Sequence, residues 1–162
     1  MSLPDAVQSL IGTSCYELAG DALVSQSNVR AMCAVVENPN AAYWDEERTP
    51  TTMLSTWSRP EYWSPERDGE FKALQLHYDL KELLRYPTAI VSSFESVFHR
   101  PARVGDRVSS VQTLKSISEE KTTRLGTGRF WEIEVRYTNQ EEALLGVEIF
   151  NCFGYRKGSS DD

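Results

Sequence analysis

Two histidines, His77 and His99, are the only imidazoles that this chain offers for acid–base chemistry. His99 ends a strand-like run at "FHRP", where a lone histidine usually serves a structural hydrogen bond. His77 lies on a short amphipathic segment that predicts a helix. Among the carboxylates, Glu37 and Glu95 are the candidates to act with an imidazole. A self-sufficient enzyme would therefore have to use Glu37, Glu95 or His99 as its acid and base.

The three cysteines, Cys15, Cys33 and Cys152, lie far apart and form neither a CxxC pair nor a Cys/His cluster. Neither a zinc site nor a disulfide framework is expected from such spacing, and no metal or cofactor is predicted. Cysteines without pairing favour a reducing compartment, so a cytoplasmic location is expected.

Length and charge indicate one ordinary globular domain spanning residues 1–162. The net charge of -7, from 24 acidic and 17 basic residues, argues against a nucleic-acid partner. The apolar runs are far shorter than the roughly 20 residues of a membrane span, and the N-terminus lacks a basic region before an apolar core. Residues 1–10 and 158–162 are expected to be flexible ends.

The first half of the chain predicts short helices. In "SNVRAMCAVVENP" the apolar residues recur at helical spacing, Ser25 or Ser27 is available as N-cap, and Pro39 is expected to end the helix. In "RTPTTMLSTWSRP" Thr49 can cap and Pro50 suits the first turn of a helix that is almost free of charge and therefore buried. Residues 61–72 predict a loop, and "LHYDLKELLRYP" predicts a further helix.

The second half predicts long antiparallel strands joined by short polar turns. The alternation in "FWEIEVRY" is the clearest, because its large apolar residues fall on one face and its charged residues on the other. The run "AIVSSFESVFHR" predicts a strand with Ile90, Phe94 and Phe98 on one face. In "GTGRF" the glycines are expected to allow a bulge or tight turn. The last strand predicts an apolar row of Leu145, Val147, Ile149, Asn151, Phe153 and Tyr155.

Short helices followed by long antiparallel strands predict an α+β domain with a long sheet wrapped around one central helix. The uncharged segment from Pro50 to Trp57 is the candidate for that helix. Such a sheet leaves an exposed edge strand, which proteins usually cover with a second copy or a partner. Oligomerisation is therefore expected.

The order "ENPNAAYWDEE", a Pro-led helix, "FHRPARVGD" and "GTGRFWEIEVRY" resembles the MaoC-like hot-dog dehydratases and (R)-specific enoyl-CoA hydratases. The similarity runs from about residue 11 to residue 157. It is strongest to their non-catalytic N-terminal, FAS1-like dehydratase halves and to the MaoC-type subunits of heteromeric hydratases that act on steroid side-chain CoA esters. The resemblance implies a single hot-dog domain and a role in lipid or steroid metabolism.

In catalytic members of this family the first helix ends in D-x-N-P-x-H, where the histidine acts as general base on water and the aspartate supports it. Aligning Asn38-Pro39 with the Asn-Pro of this motif places Val36 at the aspartate position and Ala41 at the histidine position. Neither side chain can move a proton. Glu37 would point elsewhere, because successive residues of a helix are turned by about 100°.

The resemblance also implies binding roles for residues near this turn. Aromatic side chains are expected to line an acyl pocket or to fill the core under a long loop; Tyr62 and Trp63 add to this group. Arginines at strand ends are candidates for the phosphates of CoA or of a carrier-protein arm. The candidates for the acyl site are Asn38, Pro39, Tyr43, Trp44, Thr52 and Trp57, and those for CoA are Arg100, Arg103 and Arg129.

The sequence therefore favours an auxiliary subunit of a 2-enoyl-CoA hydratase for a bulky or long acyl-CoA. A second hot-dog chain would carry the catalytic Asp/His pair in a dimer or heterotetramer, and the CoA thioester is the substrate. Two alternatives stay open: a self-sufficient homodimeric hot-dog hydratase or thioesterase, and a module that binds acyl-CoA or an acyl carrier without chemistry.

Overall fold

A computed structural model of the chain describes residues 2–60, 63, 65–66 and 72–158. Most of the loop that was predicted for residues 61–72 lies outside this set. None of the helices in the described part is long and apolar enough to cross a bilayer.

The helices are α1 (Asp5–Gln8), α2 (Gln26–Val35), α3 (Ala41–Trp44), α4 (Leu54–Trp57), which a 3-10 turn at Thr51–Met53 precedes, and α5 (Gln75–Leu83). The strands are β1 (Ser14–Ala19), β2 (Thr88–Phe98), β3 (Ser109–Ile117), β4 (Lys121–Thr123), β5 (Gly126–Thr138) and β6 (Leu144–Arg156).

The strands form one antiparallel sheet in the order β1-β3-β5-β6-β2, and the short β4 pairs with β5 at one end. The prediction for β5 is confirmed. Its apolar row is buried on the inner face of the sheet, because a period of two places alternate residues on one face. The members of this row are Trp131, Ile133, Val135 and Tyr137.

Helix α4 lies on the inner side of the sheet, and α5 packs there beside it. As predicted, the uncharged segment is buried through Leu54 and Trp57 of α4. Helix α5 is buried as well, and Gln112 of β3 holds its first turn: the side-chain oxygen accepts from the Leu76 N–H at 3.1 Å, and the amide donates to the Ala73 carbonyl at 3.2 Å. A buried amide with both ends paired positions α5 on the sheet.

The prediction that Thr49 caps the helix at residue 50 is wrong. The Thr49 hydroxyl donates to the carbonyl of Ala102 at 2.9 Å, and Pro50 occupies the N-cap position of the 3-10 turn. Thr49 therefore ties the start of the buried segment to the loop between β2 and β3.

The faces of β2 differ from the prediction because a bulge lies between Val91 and Ser93. The extra residue turns the strand over, so that Ile90 lies beside Phe153 on the outer face while Phe94 lies beside Phe150 on the inner face. Ile90 and Phe94 therefore do not share a face.

The predicted apolar row of β6 lies on the outer face. The residues of β6 that face Trp131 and Tyr137 across the ladder are Cys152 and Gly146, and residues directly opposite each other share a face. A side chain at Gly146 would meet Leu54, and one at Gly154 would meet Trp131. The small residues of β6 therefore make room for the helices and large side chains of the core.

The N-terminal segment also differs from the expectation of a flexible end. Residues 5–8 form α1, Val7 is fully buried, and the Gly12 N–H donates to the Leu114 carbonyl at 2.8 Å. Strand β1 follows and was not predicted, because its six residues are mostly exposed and its pairing is bulged between Cys15 and Leu18.

Candidate functional site

The turn that follows α2 ends the helix earlier than Pro39. The Asn38 N–H donates to the Cys33 carbonyl at 2.8 Å, and the Glu37 N–H donates to the Ala34 carbonyl at 3.3 Å. This pair of bonds is a Schellman motif, with Glu37 in the left-handed conformation at φ 53°. Glu37 therefore lies beyond the helix, and the expectation that it sits one helical step around from Val36 is wrong.

The two positions that were aligned with the acid and base of the family motif are at the surface of the described structure. Val36 is the C-cap of α2 and is 54% exposed, and Ala41 begins α3 and is also exposed. The segment after α2 is therefore a folded turn with aliphatic side chains at its surface. That these two side chains occupy the acid and base positions of the family motif stays a prediction.

Side chains of the turn hold it in this shape. Asn38 accepts from the Asn40 N–H at 3.1 Å, and Asn40 accepts from the Ala42 N–H at 3.1 Å as the N-cap of α3. The Trp44 indole donates back to the Asn38 carbonyl at 2.8 Å. Arg30 of α2 donates to the Trp44 carbonyl at 2.5 Å, which closes the turn against the helix. These bonds occupy the polar groups of the turn in its own structure.

We expect Glu37→Gly to stabilise the fold by about 0.5–1 kcal/mol, because glycine removes the cost of a left-handed conformation at this position. Chemical denaturation of the purified chain measures the change. Glu141→Gly is the matched control, since Glu141 is exposed and is not among the described residues with positive φ. The control is expected to lose stability; equal effects of both substitutions would contradict this account of the turn.

The aromatic candidates divide between the core and the surface. Tyr43 and Trp44 are half-buried and pack against the core, and Trp57 is buried within it. Trp63 is 75% exposed and so does not fill the core, and Tyr62 lies outside the described residues. Thr52 is exposed in the 3-10 turn and Pro39 is exposed in the turn after α2, whereas Asn38 is half-buried.

Neither histidine lies at the turn in a position to replace the missing base. His99 is exposed beyond the end of β2, where its backbone N–H donates to the Leu145 carbonyl at 2.9 Å. His77 is buried on α5 with its ring 5.5 Å from that of Trp131. Burial lowers the pKa of His77, and Lys81 lowers it further. His77 is therefore a neutral residue of the core, and Glu95 is exposed on β2.

The arginine candidates lie at opposite ends of the sheet. Arg100 and Arg103 are exposed in the loop between β2 and β3. The backbone of Arg103 forms an isolated antiparallel bridge with that of Arg48 beyond α3, and the Val104 N–H donates to the Glu47 carbonyl at 3.1 Å. Arg129 is buried near the start of β5 and its Nη1 donates to the Ser118 carbonyl at 2.8 Å. Tyr137 lies eight residue steps further along β5, which corresponds to about 26 Å. The structure brings the first two candidates together and leaves Arg129 apart from them.

A polar pair that sequence reasoning missed lies on the inner face of the sheet. The Tyr137 hydroxyl of β5 donates to the Glu148 carboxyl of β6 at 2.6 Å, and both side chains are buried. Burial raises the pKa of Glu148, although the Tyr137 hydrogen bond and the charge of Arg59 act in the opposite direction. Burial also raises the pKa of Tyr137. The signal in the sequence was a glutamate inside the otherwise apolar run "LLGVEIFNCF".

The described residues hold no group of three or more His, Cys, Asp or Glu side chains arranged to bind a metal ion. Asp106 of the "VGD" motif instead has a structural role. Its carboxyl accepts from the Arg103 N–H at 2.8 Å and from the Gln140 amide at 3.1 Å. It thereby fastens the loop after β2 to the hairpin between β5 and β6.

The long antiparallel sheet with α4 and α5 on its inner side defines a hot-dog fold. A chain of the ChsH1-ChsH2 complex from Mycobacterium tuberculosis superposes with a TM-score of 0.77 at 16% identity, over 97% of this chain and 93% of that one. The MaoC-like dehydratase from Rhodospirillum rubrum superposes with a TM-score of 0.53 at 15% identity, over 94% of this chain and 97% of that one. The predicted fold class and the resemblance to MaoC-like dehydratases are confirmed.

Residues 9–145 match the family described as "FAS1-like, dehydratase domain region", so the chain belongs to that family. A curated relative from Thermomonospora curvata, a probable enoyl-CoA hydratase alpha subunit, is 26% identical over 168 residues. The alignment covers 93% of this chain and 51% of the relative. The chain therefore spans about half the length of the curated relative that it matches.

Proposed function

We propose that this chain is the non-catalytic subunit of a 2-enoyl-CoA hydratase, in which a second hot-dog chain supplies the Asp/His pair. The observation that carries the proposal is the turn after α2. It is held by its own hydrogen bonds in a defined shape, and aligning Asn38-Pro39 with the family motif puts Val36 and Ala41 at the positions of the acid and base. A turn that is folded but lacks ionisable groups at these positions serves binding better than proton transfer.

The chemistry of hydration explains why valine and alanine in place of aspartate and histidine matter. Hydration of a 2-enoyl thioester forms a C–O bond at the β carbon and a C–H bond at the α carbon. One group must take a proton from the attacking water, and a proton must be delivered to the α carbon. Valine and alanine can do neither, so both transfers fall to the partner chain, while the CoA thioester enters as substrate and no cofactor is required.

A bulky or long acyl group suits the residues around the turn. Tyr43 and Trp44 are half-buried beside it, and Trp57 follows in α4. The buried Trp57 indole N–H and the buried Gln26 side-chain oxygen have no hydrogen-bond partner among the described residues. Buried polar groups are normally paired, so a ligand atom or an ordered water at each of these positions would satisfy them.

The CoA moiety would lie beside the loop between β2 and β3. Arg100 and Arg103 are exposed there, and the backbone bridge between Arg103 and Arg48 joins this loop to the segment that follows Trp44. Exposed guanidinium groups on one loop suit the phosphates of CoA, because each can bind two phosphate oxygens.

A partner chain would cover apolar surface that the described structure leaves exposed. Strand β2 ends the sheet and exposes Phe94, Val97 and Phe98, and the end of α2 exposes Val35, which is 81% exposed. Exposed edge strands with large apolar side chains favour association. A second hot-dog chain placed along β2 would bury this edge and bring its own catalytic residues to the shared pocket.

Coexpression tests the proposal. This chain would be purified alone, the neighbouring hot-dog chain alone, and the two together, and hydration of a long-chain 2-enoyl-CoA would be followed. Copurification with activity restricted to the mixture is expected. Full activity of this chain by itself would overturn the proposal.

A self-sufficient enzyme is the second candidate, and the Tyr137–Glu148 pair is the observation that favours it. It is an ionisable pair within a single chain, and burial raises the pKa of Glu148 as general acids require. The two groups bond to each other and are 4% and 8% exposed, which favours a structural role. Loss of hydratase activity in Glu148→Gln with the fold intact would support this second candidate.

A further inference from the structure

A cleft at the end of the sheet opposite the turn, which we name the far-end cleft, is bordered by Arg85, Tyr86, Glu120, Arg129 and Arg156. Its volume is about 460 Å³. Beside it, Gly154 of β6 lies opposite Arg129 of β5, and the space that a side chain at Gly154 would need is occupied by Tyr86 and Trp131. Arginines from two strands and from the end of α5 therefore converge on one side of the sheet.

The side chains of the far-end cleft are arranged around the Tyr86 ring. The Arg156 guanidinium lies 5.0 Å from the ring centre, and its Nη2 donates to the Arg85 carbonyl at 3.0 Å. Arg129 is 6% exposed and forms the floor. Burial raises the pKa of Tyr86, Glu120 raises it further, and Arg129 and Arg156 lower it, so three charged groups act on one hydroxyl.

The residues that border the far-end cleft carry a net positive charge. They include three arginines and one glutamate, an excess of two positive charges, in a protein whose net charge is -7. Arginine presents a planar fork that binds two oxygens of a phosphate, and partial burial strengthens the attraction relative to the open surface.

We propose that the far-end cleft binds a phosphate group, either free inorganic phosphate or the terminal phosphate of a monoester. Arg85 and Arg156 at the mouth contact the phosphate oxygens, and Arg129 at the floor provides a charge that is shielded from solvent. The site is separate from the acyl site, because the length of β5 lies between Arg129 and the end of the sheet that carries Arg100 and Arg103. It requires neither the partner chain nor turnover, so it does not rest on the proposed hydratase role.

Titration of the isotope-labelled chain with inorganic phosphate, at constant ionic strength, tests the site. We expect saturable NMR shifts at Tyr86, Glu120 and Arg156. The double variant Arg85→Gln/Arg156→Gln is expected to weaken binding by about tenfold or more, since each removes hydrogen bonds to a charged group. The control Arg124→Gln/Arg136→Gln removes the same charge from exposed positions outside the cleft and is expected to bind as the parent does.

Coenzyme A and dephospho-coenzyme A identify the source of the phosphate. Tighter binding of coenzyme A assigns the site to its 3′-phosphate, whereas equal binding of the two with retained phosphate binding assigns it to a free phosphate or another phosphorylated compound. Either result supports the site. Equal weakening in the two double variants, or the absence of a saturable shift near Tyr86, would overturn it. Arg129→Lys, which keeps the floor charged, is expected to remain folded and to bind more weakly.

Discussion

Tyr137→Phe is expected to destabilise the fold by about 3 kcal/mol at neutral pH. The substitution removes the hydroxyl that donates to Glu148 at 2.6 Å, and it leaves a buried carboxyl without that donor. Urea denaturation of the purified chain measures the loss. Tyr78→Phe is the matched control, because Tyr78 is 43% exposed, and this variant is expected to change stability by less than about 0.5 kcal/mol.

Glu148→Gln tests the same pair through its pH dependence. Burial raises the pKa of Glu148, so the carboxyl binds its proton more tightly in the folded chain than in the unfolded chain. The stability linked to this group is therefore fully present below its unfolded value of 4.5 and is lost as the pH rises through the folded pKa. Glutamine keeps an acceptor for Tyr137 and does not titrate.

The stability of Glu148→Gln relative to the parent should therefore increase from pH 4.5 upward and then level off. Denaturation at several pH values measures this difference. A difference that does not change with pH would show that Glu148 has the same pKa in the folded and unfolded chains.

Gly128→Ala is expected to destabilise the chain by about 3 kcal/mol or more, or to prevent folding. A Cβ at this position would lie 1.9 Å from the Gly154 carbonyl oxygen and 2.7 Å from the Tyr155 Cα on the paired strand. These are backbone atoms, so the ladder between β5 and β6 would have to open. Gly158→Ala is the control, because nothing lies within 4 Å of a Cβ there. Equal stability of the two variants, measured by thermal unfolding, would contradict the register of β5 with β6.

The elements that could be predicted from the sequence are those with a long, regular period. Apolar and polar side chains alternate along strand β5. Helix α2 has apolar residues at helical spacing, and its N-cap Ser25 accepts from the Asn28 N–H at 3.3 Å. Both predictions are confirmed. The topology of the sheet was implied by the resemblance to hot-dog dehydratases, because periodicity alone does not determine topology.

What could not be predicted depends on register and on tertiary contacts. The bulge after Val91 reverses the faces of β2, and no residue type in that strand marks it. The inner face of β6 carries Gly146 and Gly154. Because glycine has no apolar side chain, the sequence does not indicate that this face packs against the core. The Tyr137–Glu148 pair joins two strands whose register must be known before the two residues can be placed together.

The local geometry of the turn after α2 could not be predicted. Its role as the candidate site follows from aligning Asn38-Pro39 with the family motif, which places Val36 and Ala41 there, and that role stays a prediction. The left-handed Glu37 that ends α2 was not expected, because glycine is the usual residue at that position. The separation of Arg129 from Arg100 and Arg103 could not be predicted either. All three lie near strand ends in the sequence, and only the directions of the strands decide at which end of the sheet each arginine lies.

The central claim is that the protons of the reaction are moved by the partner chain. The most direct measurement is the hydration rate of the copurified complex after substitutions in each chain. A combined Glu37→Gln, His99→Ala and Glu148→Gln variant of this chain is expected to keep the parent rate, whereas alanine at the partner's aspartate or histidine should lower it by about 10²–10⁴-fold. A loss of that size from the substitutions in this chain, with the complex still assembled, would contradict the account.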